Sequence, residues 1–321
     1  MTHRNTLDSL VSDFLGDHAH LSPKTLDTYR NCLGNFQWYA KEQAWPEVNS
    51  PRIRQFLAYL GESNRWGRHD PSLSSSPPAC PSTIHHYGRI IKNLFRWALD
   101  EGLIDEDPTR RLRLGSPKCR EVEPYTDKQV LAMLYGCDEE AGRHRYLGVR
   151  NKAIISLFVA TGLRLKELSR ISLNDFDQRQ QQLSVRGKGE RFRLVPINGE
   201  ARKCLRRYMD IRTRGGDMLW KTDDGKAMTA NGVRIMVVRL ARSTGTDKGG
   251  PHRFRHYFAT KFLEAGGDIN SLRLLLGHTT LTMVLRYSRF IDIKNAFAEH
   301  RQYNPLEHLY AAGLDKRLTL V

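Results

Sequence analysis

The sequence predicts a mainly α-helical chain of two domains with one small β-hairpin, so that the second domain is of the α+β kind. Three observations predict it. Apolar residues recur at three- and four-residue intervals along most of the chain, the spacing of amphipathic helices. The period switches to alternation once, in QQLSVRGKGERFRLVPI, where two short runs flank Gly187-Lys188-Gly189-Glu190, the composition of a tight turn. Between these regimes, Asp107-Pro108 and the following TRRLRLGSPKCREVEP hold Pro, Gly and clustered charge without a hydrophobic period. A chain of 321 residues also matches about two domains in size. The expected divisions are a helical domain over 1–107, a linker over 108–124, a second domain over 125–290 and a tail over 291–321.

In the first domain, Ser22-Pro23 reads as an N-cap with Pro at the first helical position, followed by Leu26, Tyr29, Leu33, Phe36 and Tyr39 or Ala40 on one face. Ser50-Pro51 repeats the start signal before Ile53, Phe56, Leu57 and Leu60. Ser82 opens a third stretch, with Ile84, Tyr87, Ile90, Ile91, Leu94, Phe95 and Ala98 facing one way and Gly102 closing it. The Ser- and Pro-rich segment 62–81 is expected as a loop. In the second domain, Thr126 caps a helix running to Leu134, and Asn151–Ala160 is a strongly apolar helix. After the hairpin come helices at 199–213, 229–243, 251–265, 268–276 and 280–287. No repeat of 20 to 50 residues is visible.

Charge separates the two parts. The chain carries 51 Lys and Arg against 35 Asp and Glu, a net +16. Residues 1–118 hold 15 basic and 13 acidic groups, and 119–321 hold 36 and 22, so the excess is +2 before the division and +14 after it. A surplus of this size points to a polyanion, most simply nucleic acid, whose counterions Lys and Arg displace. The first part is too neutral to bind by charge alone, although Arg52, Arg54, Arg89, Lys92 and Arg96 could line one side of it. Solvated faces of amphipathic helices explain the same residues equally well. The five cysteines (Cys32, Cys80, Cys119, Cys137 and Cys204) are scattered and form no CxxC pair, which argues against a disulfide framework and a zinc ribbon. No apolar run approaches the roughly 20 residues of a membrane-spanning helix, and the first residues lack the pattern of a signal peptide, so a reducing cytoplasm is expected.

Four segments place polar groups at turns and helix starts: TGLRLKEL (161–168), GKGE (187–190), PHRFRHYFAT (251–260) and LLGHTTLTMVLRYS (275–288). They supply Arg164, Lys188, His252, Arg255, His278 and Tyr287, the last two separated by nine residues. This order and spacing resembles the tyrosine recombinase family, the phage integrases and Xer-type recombinases. The match runs motif by motif through about the last two thirds of the chain, and the helical first part is similar to the family's core-binding domain. Six elements in order make chance a poor explanation.

The resemblance implies a chemistry. A DNA phosphodiester can be broken without water or metal if a nucleophile stores the bond covalently, and a tyrosine does so as a 3′-phosphotyrosyl ester. Tyr287 is the implied nucleophile; Tyr257, Tyr303 and Tyr310 lie at other intervals from LLGH. Arg164 and Arg255 would clamp the non-bridging oxygens as charge grows on them. Arg164 stands at the mouth of a helix, a position that favours phosphate, and Glu167, one turn on, matches a position that supports the arginine. Lys188 matches the general acid that protonates the departing 5′-oxygen. His252 could exchange a proton with Tyr287 and His278 could donate to the phosphate; the two roles are not separable from sequence.

The family further implies a two-domain clamp around a double-stranded DNA core site, two protomers per site, four in the synapse, and strand exchange through a Holliday junction. The two amphipathic stretches after Tyr287, within 291–314, would dock on a neighbouring protomer. No cofactor is implied, and neither GxxxxGK[ST] nor GxGxxG occurs. His252 and His256 form an HxxxH pair, but no third ligand at a suggestive spacing supports a metal site. Two other readings remain open at this point. A type IB topoisomerase uses a similar residue set, and a basic architectural protein would need no chemistry at all.

Overall fold

The computed structural model describes residues 6–62, 77–115, 117, 122–177, 181–187, 192–197, 199–246, 249–278, 280 and 284. The chain divides into two compact units, Met1–Glu121 and Val122–Val321.

Among the described residues the first unit is built from the α-helices α1 (Leu7–Asp17), α2 (Pro23–Glu42), α3 (Ser50–Tyr59) and α4 (Pro81–Asp100). Ser22 caps α2 as its sequence predicts, its Oγ accepting from the Thr25 N–H at 3.3 Å. For α3 the cap is Asn49, whose side chain accepts from the Arg52 N–H at 3.1 Å. Ser50 is already inside the helix, and its hydroxyl turns away to donate to the Pro108 carbonyl. α4 starts at Pro81, one residue before the expected Ser82. The structure adds α1, capped by Thr6 and burying Leu10, Val11 and Phe14, which the sequence reading did not place. Phe14, Leu33, Phe36, Ile53, Phe56, Leu60, Ile91 and Leu94 are fully enclosed. Each side chain of this kind contributes about 1.5–3 kcal/mol on leaving water. Of the stretch 108–124, Thr109 and Leu112 are buried in this unit, and Lys92 Nζ donates to the Leu112 carbonyl at 3.2 Å.

The second unit wraps around α6 (Arg145–Thr161), which packs against α5 (Asp127–Arg143), α8 (Gly199–Ile211) and α10 (Pro251–Glu264). Neighbours on several sides explain its composition: Ala153, Ile154, Ile155, Leu157 and Phe158 are all fully enclosed, which a one-sided amphipathic helix could not satisfy. Thr126 and Gln129 close a capping box on α5, which continues past the predicted Leu134 through a polar last turn. The expected hairpin belongs to a three-stranded antiparallel sheet, β1 (Phe176–Asp177), β2 (Gln182–Arg186) and β3 (Phe192–Pro196), in the order β1-β2-β3. Leu183 pairs with Val195 and Val185 with Arg193. Leu183, Val185 and Val195 face the core, so the period-2 rule sends the Arg193 side chain inward as well. Among the described residues the unit also holds α7 (Leu165–Ser169), α9 (Ala230–Ser243) and α11 (Ile269–Leu276).

Candidate functional site

Three helix termini and one strand converge in the second unit. α6 ends at Gly162, whose φ of +60° gives the left-handed C-cap that a side chain would resist. The chain then reaches Arg164 and α7. α11 ends likewise at Gly277, φ +64°, immediately before His278. α10 begins at Pro251 and carries His252 and Arg255 on successive turns, while β3 brings Arg193 alongside.

Arg255 is buried, 4% exposed, and it occupies the place where the carbonyl ends of α6 and α11 meet. Its Nη1 donates to the Gly162 carbonyl at 2.9 Å and its Nη2 to the Leu276 carbonyl at 2.7 Å. A cation is favoured there because the last carbonyls of a helix carry partial negative charge. Nη2 also lies 2.6 Å from His278 Nε2. Guanidinium nitrogens only donate, so Nε2 accepts and a neutral imidazole carries its proton on Nδ1. His278 is itself buried, and its N–H donates to the Arg273 carbonyl at 3.0 Å.

Arg164 approaches the same helix end from the other side, with Nη1 at 3.5 Å from the Leu276 carbonyl. The same Nη1 donates to Glu167 Oε1 at 2.8 Å, and the Arg164 backbone N–H donates to Oε2 at 2.9 Å. Arg193, which the sequence reading passed over, completes the cluster. Its Nη1 and Nη2 reach Glu167 Oε1 and Oε2 at 3.1 and 2.8 Å, and its Nε donates to the Leu275 carbonyl at 2.8 Å. The available signal was its parity: on β3 it shares the inward phase of Val195 and pairs with buried Val185. Burial would push the Glu167 carboxyl upward, but hydrogen bonds and charge from Arg193 and Arg164 outweigh it and hold the group down, at about 2. Two guanidiniums, Arg164 and Arg193, thus share the Glu167 carboxylate while Arg255 stands apart on the helix-end carbonyls, and the cluster keeps a positive excess suited to a phosphate.

His252 lies at the exposed rim of α10. Partial desolvation, then the Arg255 and Arg164 cations, lower its pKa below the ordinary value, so the ring is neutral at pH 7. Tyr257 points elsewhere: its hydroxyl donates to Asp127 Oδ1 at 2.9 Å, and burial together with that carboxylate pushes it up to about 12. A phenol so held is a poor nucleophile. Lys188, Tyr287, Tyr303, Tyr310 and the 291–321 tail lie outside the described residues, as does most of the expected helix at 280–287 and the middle of the 62–81 loop. Among the described residues no group of three or more His, Cys, Asp or Glu could hold a metal ion, and no helix is long and apolar enough to cross a membrane. In the first unit, Arg89, Lys92 and Arg96 stand together on α4 around a shallow depression with Asn93 and Asp107, whereas Arg52 turns its Nη1 to the Glu47 carbonyl at 2.7 Å.

Comparison with known proteins returns two family models. The Phage integrase family matches residues 125–292, and the Phage integrase SAM-like domain matches residues 9–114. Among curated relatives, Tyrosine recombinase XerD of Ralstonia nicotianae is 31% identical over 297 residues, covering 89% of each chain. Tyrosine recombinase XerC of Roseiflexus castenholzii is 30% identical over 287 residues, covering 85% of each. Among solved structures, a lambda integrase dimer bound to a COC' core site superposes with a TM-score of 0.67 at 18% identity, over 87% of this chain and 97% of that one. At that identity the likeness speaks for the fold.

Proposed function

This chain belongs to the phage integrase family and is a tyrosine site-specific recombinase of the Xer type, and we propose that it cuts and rejoins double-stranded DNA through a 3′-phosphotyrosyl intermediate on Tyr287. The observation that carries this reading is the meeting of Arg164 and Arg255 at the Leu276 carbonyl, 3.5 and 2.7 Å away, although they are distant in sequence, one capping α7 and the other within α10. Two guanidiniums held side by side around a site of positive excess form a clamp for the non-bridging oxygens of a single phosphate.

In the proposed reaction the Tyr287 oxygen attacks the scissile phosphorus, and the bond from phosphorus to the 5′-oxygen breaks. The phenolic proton passes to neutral His252, and the 5′-oxygen leaves as a hydroxyl with a proton from Lys188. Arg164 and Arg255 stabilise the charge gathered on the phosphoryl oxygens. His278, whose Nε2 accepts from Arg255 Nη2, fixes that guanidinium's orientation. Glu167 is a positioning residue. Attack of a new 5′-hydroxyl on the phosphotyrosine reverses the steps and restores the enzyme, so no nucleotide or metal enters the balance. The first unit supplies a second DNA-binding surface through Arg89, Lys92 and Arg96. Two protomers occupy one core site and four make the synapse, in which strands exchange through a Holliday junction, with the tail after Tyr287 joining neighbours. The relatives in the comparison are recombinases rather than type IB topoisomerases, which favours strand exchange over relaxation.

The test is covalent capture. The protein is incubated with a pool of nicked duplexes whose core is randomised, denatured, and the bound DNA is sequenced while the peptide is identified by mass spectrometry. An adduct on Tyr287 joined to a 3′ phosphate is expected. DNA binding without any adduct would leave only a binding protein.

A further inference from the structure

We infer that Arg193 is a positioning residue that keeps Arg164 available to phosphate by holding both oxygens of Glu167 for itself. The inference rests on the strand-transfer reading above for its consequence, but its geometry belongs to the protein alone.

Two guanidiniums compete for one buried carboxylate. Arg193 takes it fork to fork, Nη1 to Oε1 at 3.1 Å and Nη2 to Oε2 at 2.8 Å, and spends its Nε on the Leu275 carbonyl. Its side chain is 13% exposed and its Nε, Nη1 and Nη2 each donate inside the protein, which places it on Glu167 and the Leu275 carbonyl. Arg164 touches the carboxylate side-chain to side-chain through Nη1 alone, and its side chain is 32% exposed. A carboxylate offers about four lone-pair sites. Here two donors from Arg193, one from the Arg164 guanidinium and one from the Arg164 backbone fill them. A second guanidinium contact from Arg164 therefore requires Arg193 to leave.

The consequence of removing Arg193 follows from the burial of Glu167, whose side chain is 5% exposed. Water cannot replace the lost donors, and the nearest remaining cation is Arg164. Its guanidinium would rotate inward into a bidentate pair, the geometry that Arg and a carboxylate prefer, and would be withdrawn from the position where a phosphate binds. Gly277 reinforces the arrangement independently. A Cβ on that residue would stand 3.0 Å from Arg193 Nη1 and 3.1 Å from its Cδ, so the glycine leaves the space through which Arg193 reaches Leu275 and Glu167. Lysine would not substitute, since one ammonium cannot span both oxygens and the carbonyl in a planar fork.

The experiment has a structural arm and a kinetic arm. Crystal structures of the free wild-type protein and of Arg193→Gln are compared; two Arg164 nitrogens within hydrogen-bond distance of Glu167 are expected in the variant. Single-turnover cleavage is then measured at saturating protein on the nicked duplex recovered by covalent capture. Arg193→Gln is expected to slow cleavage about tenfold or more with DNA affinity nearly unchanged. The double variant Arg193→Gln/Glu167→Gln is expected to recover about threefold or more over the single one, because a neutral amide no longer pulls Arg164 inward. A merely structural role predicts that the double variant is as slow as the single or slower, and that result overturns the inference. So does an Arg164 that keeps its single Nη1 contact in the variant. Should Arg193→Gln not fold, Arg193→Lys, which keeps the charge and most of the volume, is expected to show the same inward turn. If the wild-type protein forms no adduct on any duplex, the strand-transfer reading falls, while the free structures still decide the place of Arg193.

Discussion

Arg255 and His278 meet side chain to side chain at 2.6 Å inside the second unit, each almost wholly excluded from solvent. The guanidinium is pinned by two helix-end carbonyls, and the imidazole fills the remaining side of its Nη2.

Arg255→Lys should therefore fail structurally as well as chemically. One ammonium cannot serve the Gly162 and Leu276 carbonyls and His278 in one plane. A buried acceptor left without its charged donor costs about 1.5–3 kcal/mol, equivalent to a fall of roughly 3–12 °C in Tm for a unit of this size. Differential scanning calorimetry reads the shift, and a Tm within a degree of wild type would contradict this account of the pocket.

Glu167 makes stability depend on acid. Its carboxyl falls from an ordinary 4.5 to about 2 in the folded state, so the folded protein releases that proton more readily than the unfolded chain. The resulting stabilisation is fully present above pH 4.5 and disappears as pH falls from there towards 2. At 1.36 kcal/mol for each unit it amounts to about 3 kcal/mol. Urea midpoints measured between pH 6 and 3 should decline more steeply for the wild-type protein than for Glu167→Gln, which has no carboxyl to protonate. Parallel curves would assign the acid sensitivity to other groups.

His252 gives the cleavage step its own pH signature. In the proposed step His252 accepts the Tyr287 proton, and because desolvation and then the Arg255 and Arg164 cations hold its pKa below the ordinary 6.5, the neutral form predominates at pH 7. The rate of adduct formation should rise with pH along a limb centred under 6.5 and then level. His252→Gln should be slower and should lack this limb. A wild-type limb centred above 6.5 would identify a different base.

The two tyrosines should separate cleanly. Tyr287→Phe is expected to keep DNA binding and lose the covalent adduct by several orders of magnitude, read by denaturing gel. Tyr257→Phe removes a hydroxyl engaged with Asp127, and the loss of one exposed hydrogen bond costs about 1 kcal/mol of stability with adduct formation retained. Abolition of the adduct by Tyr257→Phe would reverse the assignment.

Much of this molecule was legible beforehand because the signals are local. Ser22-Pro23 and Thr126 start helices through bonds to residues three positions away. The apolar run Asn151–Ala160 announced a helix, and the structure shows its Ala153, Ile154, Ile155, Leu157 and Phe158 fully enclosed. α1 was left unread although Thr6 caps it and Leu10, Val11 and Phe14 share one face, and Asn49 displaced Ser50 as a cap because either side chain satisfies the same local rule.

By itself, the sequence determined the order of Arg164, Glu167, Arg255 and His278, and the helices and turns that carry them, since each depends on neighbours within a turn or two. Tertiary structure alone decided that Arg193 belongs with them. Its partners, Glu167 and the Leu275 carbonyl, lie 26 and 82 residues away, and in the linear chain it is one charge among the 51 basic residues. The energy of a guanidinium depends on whether a carboxylate stands within about 3 Å and whether water is excluded around the pair. Both conditions exist only after β3, α7 and the end of α11 have packed together.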